Sequence, residues 1–197
     1  MYEYRKLNKI EKKEILRHRK ERGFPFHSPP HFKKEAGIYL ITAAIYEHKP
    51  ILLDPIRRNY FLEYFFCLAA EIKIKPHAWV ILPNHYHFMT KVENFNPIQK
   101  LIKQLHGKTS YLWNKEDGIQ NRKIWFKYSD RLIRSDVHYH TTLNYIHFNP
   151  VKHGYVKTPG EWKWSSFELF RIKFGDDWIE KQMKNYPIGH YGKGWDD

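Results

Sequence analysis

Between Gly37 and Gly154 the chain changes its apolar period repeatedly, and the order of those changes restricts the fold more than any other feature. Ile38 to Tyr46 is β-branched, aromatic and small, the texture of a buried strand. Asp54-Pro55 offers a helix N-cap and first-turn pair. Ile56, Tyr60, Phe61, Tyr64, Phe65 and Leu68 then recur at helical spacing, predicting an amphipathic helix to about Glu71. Ala78 to Leu82 reads as a strand stopped by Pro83-Asn84, and His85 to Val92 as its hairpin partner. Asn96-Pro97 opens a second helix with Ile98, Leu101, Ile102 and Leu105 as one stripe, broken at Asp117-Gly118. Ile124 to Ile133 reads as a further strand, and Ser135 caps a third helix running towards Gly154. The order is β-α-β-β-α-β-α. Its first six elements match an α+β, ferredoxin-like split βαβ sandwich with an antiparallel sheet. Around this unit, residues 37–157, lie two appendages. Residues 1–36 read as a basic N-terminal arm, with a short helix over Lys9 to Glu21 ended by Pro25, Pro29 and Pro30. Residues 158–197 read as a Trp-rich, then irregular, C-terminal tail packed on or extending the core.

Composition narrows the partners. An apolar fraction of 42% with 17% aromatics suffices for a packed core. No apolar run reaches the roughly 18 residues that span a bilayer, and the amino terminus carries no secretory signal, so a cytoplasmic protein with no membrane partner is expected. The single cysteine, Cys67, excludes an internal disulfide and a multi-Cys zinc site, and is expected to be inert core. A net charge of +13 points first to nucleic acid. Arg57, Arg58, Lys100, Lys103, Arg131, Arg134 and Lys152 are candidates for holding phosphates. Tyr111, Trp125, Trp162 and Trp164 are candidate rings for stacking unpaired bases.

Two His-Tyr-His triplets stand out, although 13 His in 197 residues give about one such spacing by chance. On a strand His85 and His87 share a face and can point at one ion. On a helix His138 and His140 lie about 200° apart and diverge. His106, His147 and His153 read as surface or phosphate-contacting groups. By spacing alone, His85 and His87 read equally as surface histidines or metal ligands. Tyr145 and Asn149 stack on one helical face, where the plain reading is a half-buried aromatic and a cap. Asn149 precedes Pro150, so a kinked helix end is expected there.

Trp79-Val80-Ile81-Leu82-Pro83-Asn84-His85-Tyr86-His87 resembles the strand bearing the HUH motif of single-tyrosine transposases. Tyr145-Ile146-His147-Phe148-Asn149-Pro150-Val151-Lys152-His153-Gly154 resembles their tyrosine-bearing helix, especially that of REP-associated tyrosine transposases, domesticated relatives that act on repetitive extragenic palindromes. Ile124-Trp125 and Asp130-Arg131-Leu132-Ile133-Arg134 also fit that group. The resemblance covers roughly residues 37–156.

The resemblance implies that residues 37–157 are a catalytic domain in which Tyr145 is the nucleophile. His85 and His87 become ligands of a divalent ion, Mg²⁺ or Mn²⁺, with Asn149 in a third, more variable ligand position. The implied partner is single-stranded DNA with hairpin or palindromic structure, cleaved and rejoined through a 5′-phosphotyrosine by a monomer or homodimer. The alternatives are a non-catalytic domesticated DNA-binding protein, a nickase of the relaxase or replication-initiator kind, and a metal-dependent nuclease using water.

Overall fold

The protein is described by a computed structural model over residues 8–21 and 36–193. The linker expected over Pro25, Pro29 and Pro30 lies outside the described residues. Helix α1 (Lys9–Glu21) is followed by β1 (Gly37–Ala44), α2 (Pro55–Ile72), β2 (Pro76–Ile81), β3 (His85–Val92) and α3 (Asn96–Glu116). Then come β4 (Ser129–Ile133), α4 (Asp136–Lys152), α5 (Phe167–Phe174) and α6 (Asp176–Asn185). The four strands form one antiparallel sheet in the order β2-β3-β1-β4, the split βαβ arrangement.

Local chemistry sets the element ends. The Asp54 carboxylate accepts from the Ile56 N–H at 2.8 Å, so α2 starts where the capping pair stands. It stops at Lys73 (φ 63°), whose N–H bonds the Ala70 carbonyl at 3.1 Å. The Ser135 hydroxyl accepts from the His138 N–H at 3.1 Å and opens α4. That helix continues through Pro150 to Lys152, without ending at Asn149. Pro150 forfeits only one intrahelical bond in the last turn, where few remain to lose.

β3 lies inside the sheet, and its alternating side chains serve two layers. Tyr86 and Phe88 join Phe61, Phe65, Leu101, Leu105, Trp113 and Trp125 under α2 and α3. His85, His87 and Met89 face the other side, where Met89 packs with Leu40, Val80, Leu143, Tyr145 and Ile146 beneath α4. Cys67 is exposed, because the inward stripe of α2 passes through Phe61, Phe65 and Leu68. β4 covers only the second half of the stretch expected to be strand. Trp125 makes a single bridge to Ile45, and its ring is drawn into the core by the Thr109 hydroxyl, which accepts from its indole N–H at 2.8 Å.

Residues 158–193 are structured, contrary to the irregular reading. Residues 162–166 lie along β2, with the Ile81 N–H donating to the Trp164 carbonyl at 2.8 Å and the Ser166 N–H to the Trp79 carbonyl at 3.0 Å. They shield an otherwise open sheet edge. α5 and α6 follow, and the Asn144 amide on α4 donates to the carbonyls of Gln182 (3.0 Å) and Tyr186 (2.8 Å).

One core contact has a pH signature. The His106 ring stacks on Trp125 with centroids 4.3 Å apart, and its Nε2 accepts the Tyr86 hydroxyl at 2.9 Å. Burial pushes His106 down to about 3 and keeps the Tyr86 hydroxyl protonated, so the imidazole folds neutral. A histidine depressed in the fold stabilises it fully above its ordinary value of 6.5 and loses that contribution as the pH falls towards 3. Between pH 7 and pH 5 the expected loss is about 1–2 kcal/mol, since part of the ring keeps some solvent. Urea unfolding of the protein and of His106→Gln, both in EDTA, checks this. The variant keeps an acceptor for Tyr86 but cannot titrate, so an equal loss in both proteins refutes the assignment.

Candidate active site

β3 and α4 bring four side chains together from a single chain. The Tyr145 hydroxyl lies 3.4 Å from Nε2 of His87, and Asn149, one helical turn on, places its Oδ1 3.2 Å from Nε2 of His85. The two imidazole centroids are 5.0 Å apart. All four residues are almost wholly buried: Tyr145 1%, His85 1%, His87 0% and Asn149 0% exposed.

The opposite ring nitrogens are held from behind. His85 Nδ1 meets Asn84 Oδ1 at 2.6 Å, and His87 Nδ1 meets the Thr42 hydroxyl at 2.7 Å. Thr42 faces His87 because the two residues are directly paired between β1 and β3. When Nδ1 donates to Asn84 and to Thr42, each Nε2 is left as a lone pair directed into the site. For His85 this sets a nitrogen lone pair against the Asn149 carbonyl oxygen, acceptor facing acceptor. A cation held by both relieves that contact, as does turning the amide so that the buried Asn149 Nδ2, otherwise without a hydrogen-bond partner, donates to His85. Two imidazole nitrogens and an amide oxygen therefore fit a divalent ion with positions left open. The described residues contain no cluster of three or more His, Cys, Asp or Glu suited to a metal, so any third donor at this site would be the Asn149 amide.

His153, read from sequence as unremarkable, flanks the site with its ring 5.1 Å from that of His85. Its signal was its spacing, four positions beyond Asn149 on the same face. His147 and His106 are taken up by internal packing and hydrogen bonding rather than lying free on the surface. His147 is buried against Phe167 and Phe170, and its Nε2 pairs with the Ser166 hydroxyl at 2.8 Å. His138 and His140 diverge as expected, His138 towards Tyr191 and His140 stacking on Tyr186 at 4.6 Å.

The seven basic candidates divide by layer. Arg131 sits on β4 opposite Leu40, hence on the histidine face of the sheet. Burial and then the charges of Arg134 and Arg131 hold His138 below its usual range, which puts both guanidinium groups beside the start of α4. Lys152 Nζ lies 5.2 Å from the Tyr145 ring centroid. The other four belong to the layer across the sheet. Arg57 pairs with Asp117 and Glu116. Arg58 is buried, donates to the Leu52 carbonyl at 2.7 Å and lies 3.9 Å from the Trp164 ring centroid, so it is a packing residue. Lys100 and Lys103 are exposed on α3, remote from the histidine face. Of the four candidate stacking rings, Trp125 and Trp162 are core, Trp164 packs against Arg58, and Tyr111 is exposed.

Residues 186–193 form a strap over the tyrosine. The His138 Nε2–H donates to the Tyr191 hydroxyl at 3.0 Å, and that hydroxyl donates to Thr142 at 2.6 Å. The Tyr191 ring meets Tyr145 edge-on at 5.5 Å. Gly192 (φ 76°) lies so close that a Cβ there would overlap the Tyr145 ring. The Lys152 ammonium donates to the Gly192 carbonyl at 3.3 Å.

A buried phenol thus faces two strand histidines from a helix that packs on an antiparallel sheet, and the comparisons with known proteins place the chain in a transposase family. The IS200-like transposase family model matches residues 34–149, and the chain belongs to that family. Within it, the chain is 30% identical over 162 residues to a putative REP-associated tyrosine transposase of Haemophilus influenzae, covering 73% of this chain and 88% of that protein. It is also 30% identical over 136 residues to the REP-associated tyrosine transposase of Escherichia coli K12, covering 62% and 78% respectively. The fold matches that of a REP-associated tyrosine transposase solved bound to a REP hairpin, with a TM-score of 0.60, 22% identity and coverage of 75% of this chain and 86% of that one. No helix among the described residues is long and apolar enough to cross a membrane.

Proposed function

We propose that this transposase-family protein is a metal-dependent transesterase that cleaves and rejoins single-stranded DNA beside a hairpin or palindrome. The observation that carries the reading is the convergence in one chain of the Tyr145 hydroxyl with His87, and of Asn149 with His85.

In this reading His85, His87 and Asn149 hold Mg²⁺ or Mn²⁺, whose role when bound is to neutralise charge gained on the scissile phosphate. Two imidazoles and one amide suit Mn²⁺ better than the oxygen-preferring Mg²⁺. The Tyr145 oxygen attacks phosphorus, a tyrosyl–phosphate bond forms at the 5′ end, and the bond to the 3′ oxygen breaks. A proton leaves the phenol and one is returned to the departing 3′-OH. A free phenol has a pKa of about 10, so the site must assist its ionisation. The packing of α4 holds the phenol in place, which limits the orientational cost of attack. Since the intermediate keeps the phosphodiester energy, a later 3′-OH can reverse the step without ATP. Arg131, Arg134 and Lys152 supply positive charge on the side of the sheet where the strand must lie.

Incubation with hairpin-bearing single strands and Mn²⁺ is expected to give a protein–oligonucleotide adduct that survives SDS. EDTA is expected to abolish it. If no adduct forms while hairpin binding persists, the protein is a non-catalytic binder. If cleavage proceeds unchanged in EDTA, the metal role is wrong.

A further inference from the structure

The strap encloses more than the tyrosine. Between it and α4 lies a cavity of about 380 Å³, with Tyr145, Phe148, Val151, Ile188 and Tyr191 among its walls. Lys152 and Lys193 also border it, and the described residues lining it include no Asp or Glu. Aromatic and aliphatic walls with cations alongside match an unpaired nucleotide, whose base offers a π-face and whose phosphate offers charge. Tyr145 is shared between this cavity and the histidine site, so a nucleotide seated here is joined directly to the phosphate that Tyr145 attacks.

We infer that this cavity is a nucleotide-specificity pocket, taking up one extrahelical base immediately next to the cleaved bond. The inference rests on the transesterase reading for where the bond lies. It goes further, assigning choice of the cleavage position to α4 and the strap in addition to the hairpin.

Two measurements test it. In the first, each nucleotide flanking the cleaved bond is replaced in turn by an abasic residue, and adduct yield is measured in Mn²⁺. One replacement is expected to lower the yield about tenfold, the scale of one lost base–aromatic stack. Val151→Trp, which fills the cavity from a half-buried position, is expected to erase the difference between base-bearing and abasic strands. Equal yields from all abasic strands with the native protein overturn the pocket. No adduct with any intact strand instead defeats the transesterase reading. In the second, Tyr145→Phe protein, which cannot cleave, is photocrosslinked to strands carrying 5-iodouracil at each flanking position. A crosslink to the peptides containing Phe148 or Tyr191 supports the pocket whatever the chemistry. Crosslinks confined to other surfaces overturn it.

Discussion

Tyr145→Phe is expected to remove the covalent protein–DNA adduct entirely while leaving the fold and hairpin binding in place. The substitution deletes one oxygen and keeps a ring that packs edge-on against His87 (5.1 Å) and Tyr191 (5.5 Å). The hydroxyl's hydrogen bond to His87, at 3.4 Å, is long, so losing it should cost about 1 kcal/mol of stability or less. Against that small structural effect stands a complete chemical one, because phenylalanine has no oxygen to attack phosphorus. Tyr191 is the natural control. Its hydroxyl is fixed between Thr142 and His138, and Tyr191→Phe should retain the adduct while loosening the strap. Denaturing gels of both variants with labelled strands decide the matter. An adduct that persists in Tyr145→Phe moves the nucleophile to another residue, and cleavage without an adduct points to water.

The sheet was legible because strand and helix periods alternate cleanly from Ile38 to Leu105, and because period two alone puts His85 and His87 on one face. The four-residue spacing of Tyr145 and Asn149 likewise forecast a shared helical face. Neither spacing could say that α4 packs over β3 with those faces opposed. That follows from Leu143 and Ile146 packing with Val80 and Met89 across the layer. The tail was misread despite a usable signal: Phe167, Phe170, Phe174 and Trp178 follow one another at helical spacing, and Phe170, Phe174 and Trp178 pack together. Missing those helices also hid the burial of His147, since α5 covers it. The adjacent Arg57 and Arg58 look equivalent in sequence. A helical step of about 100° sends one to Asp117 and the other under Trp164, and only tertiary packing distinguishes them.

Replacing both His85 and His87 with Ala is expected to abolish adduct formation at any Mn²⁺ concentration, with hairpin affinity changed only a few-fold. The imidazoles removed are buried beneath α4, whereas the proposed DNA binding would draw on the charge of a chain that carries a net +13. Losing two buried rings also opens space, so far-UV circular dichroism and urea unfolding must accompany the assay. A gentler change separates metal binding from packing. Thr42→Val keeps the shape of the β1 side chain but removes the oxygen that fixes His87 Nδ1 at 2.7 Å. Outer partners of ligating histidines typically contribute about 10–100-fold to metal affinity or activity. The variant should therefore need about 10–100-fold more Mn²⁺ for half-maximal adduct formation while approaching the native rate at saturation. A merely structural role for Thr42 predicts the reverse, a lower rate at every Mn²⁺ concentration and an unshifted midpoint. An adduct surviving in the double alanine variant would remove the imidazoles from the chemistry, leaving Tyr145 to be activated by some other group near it.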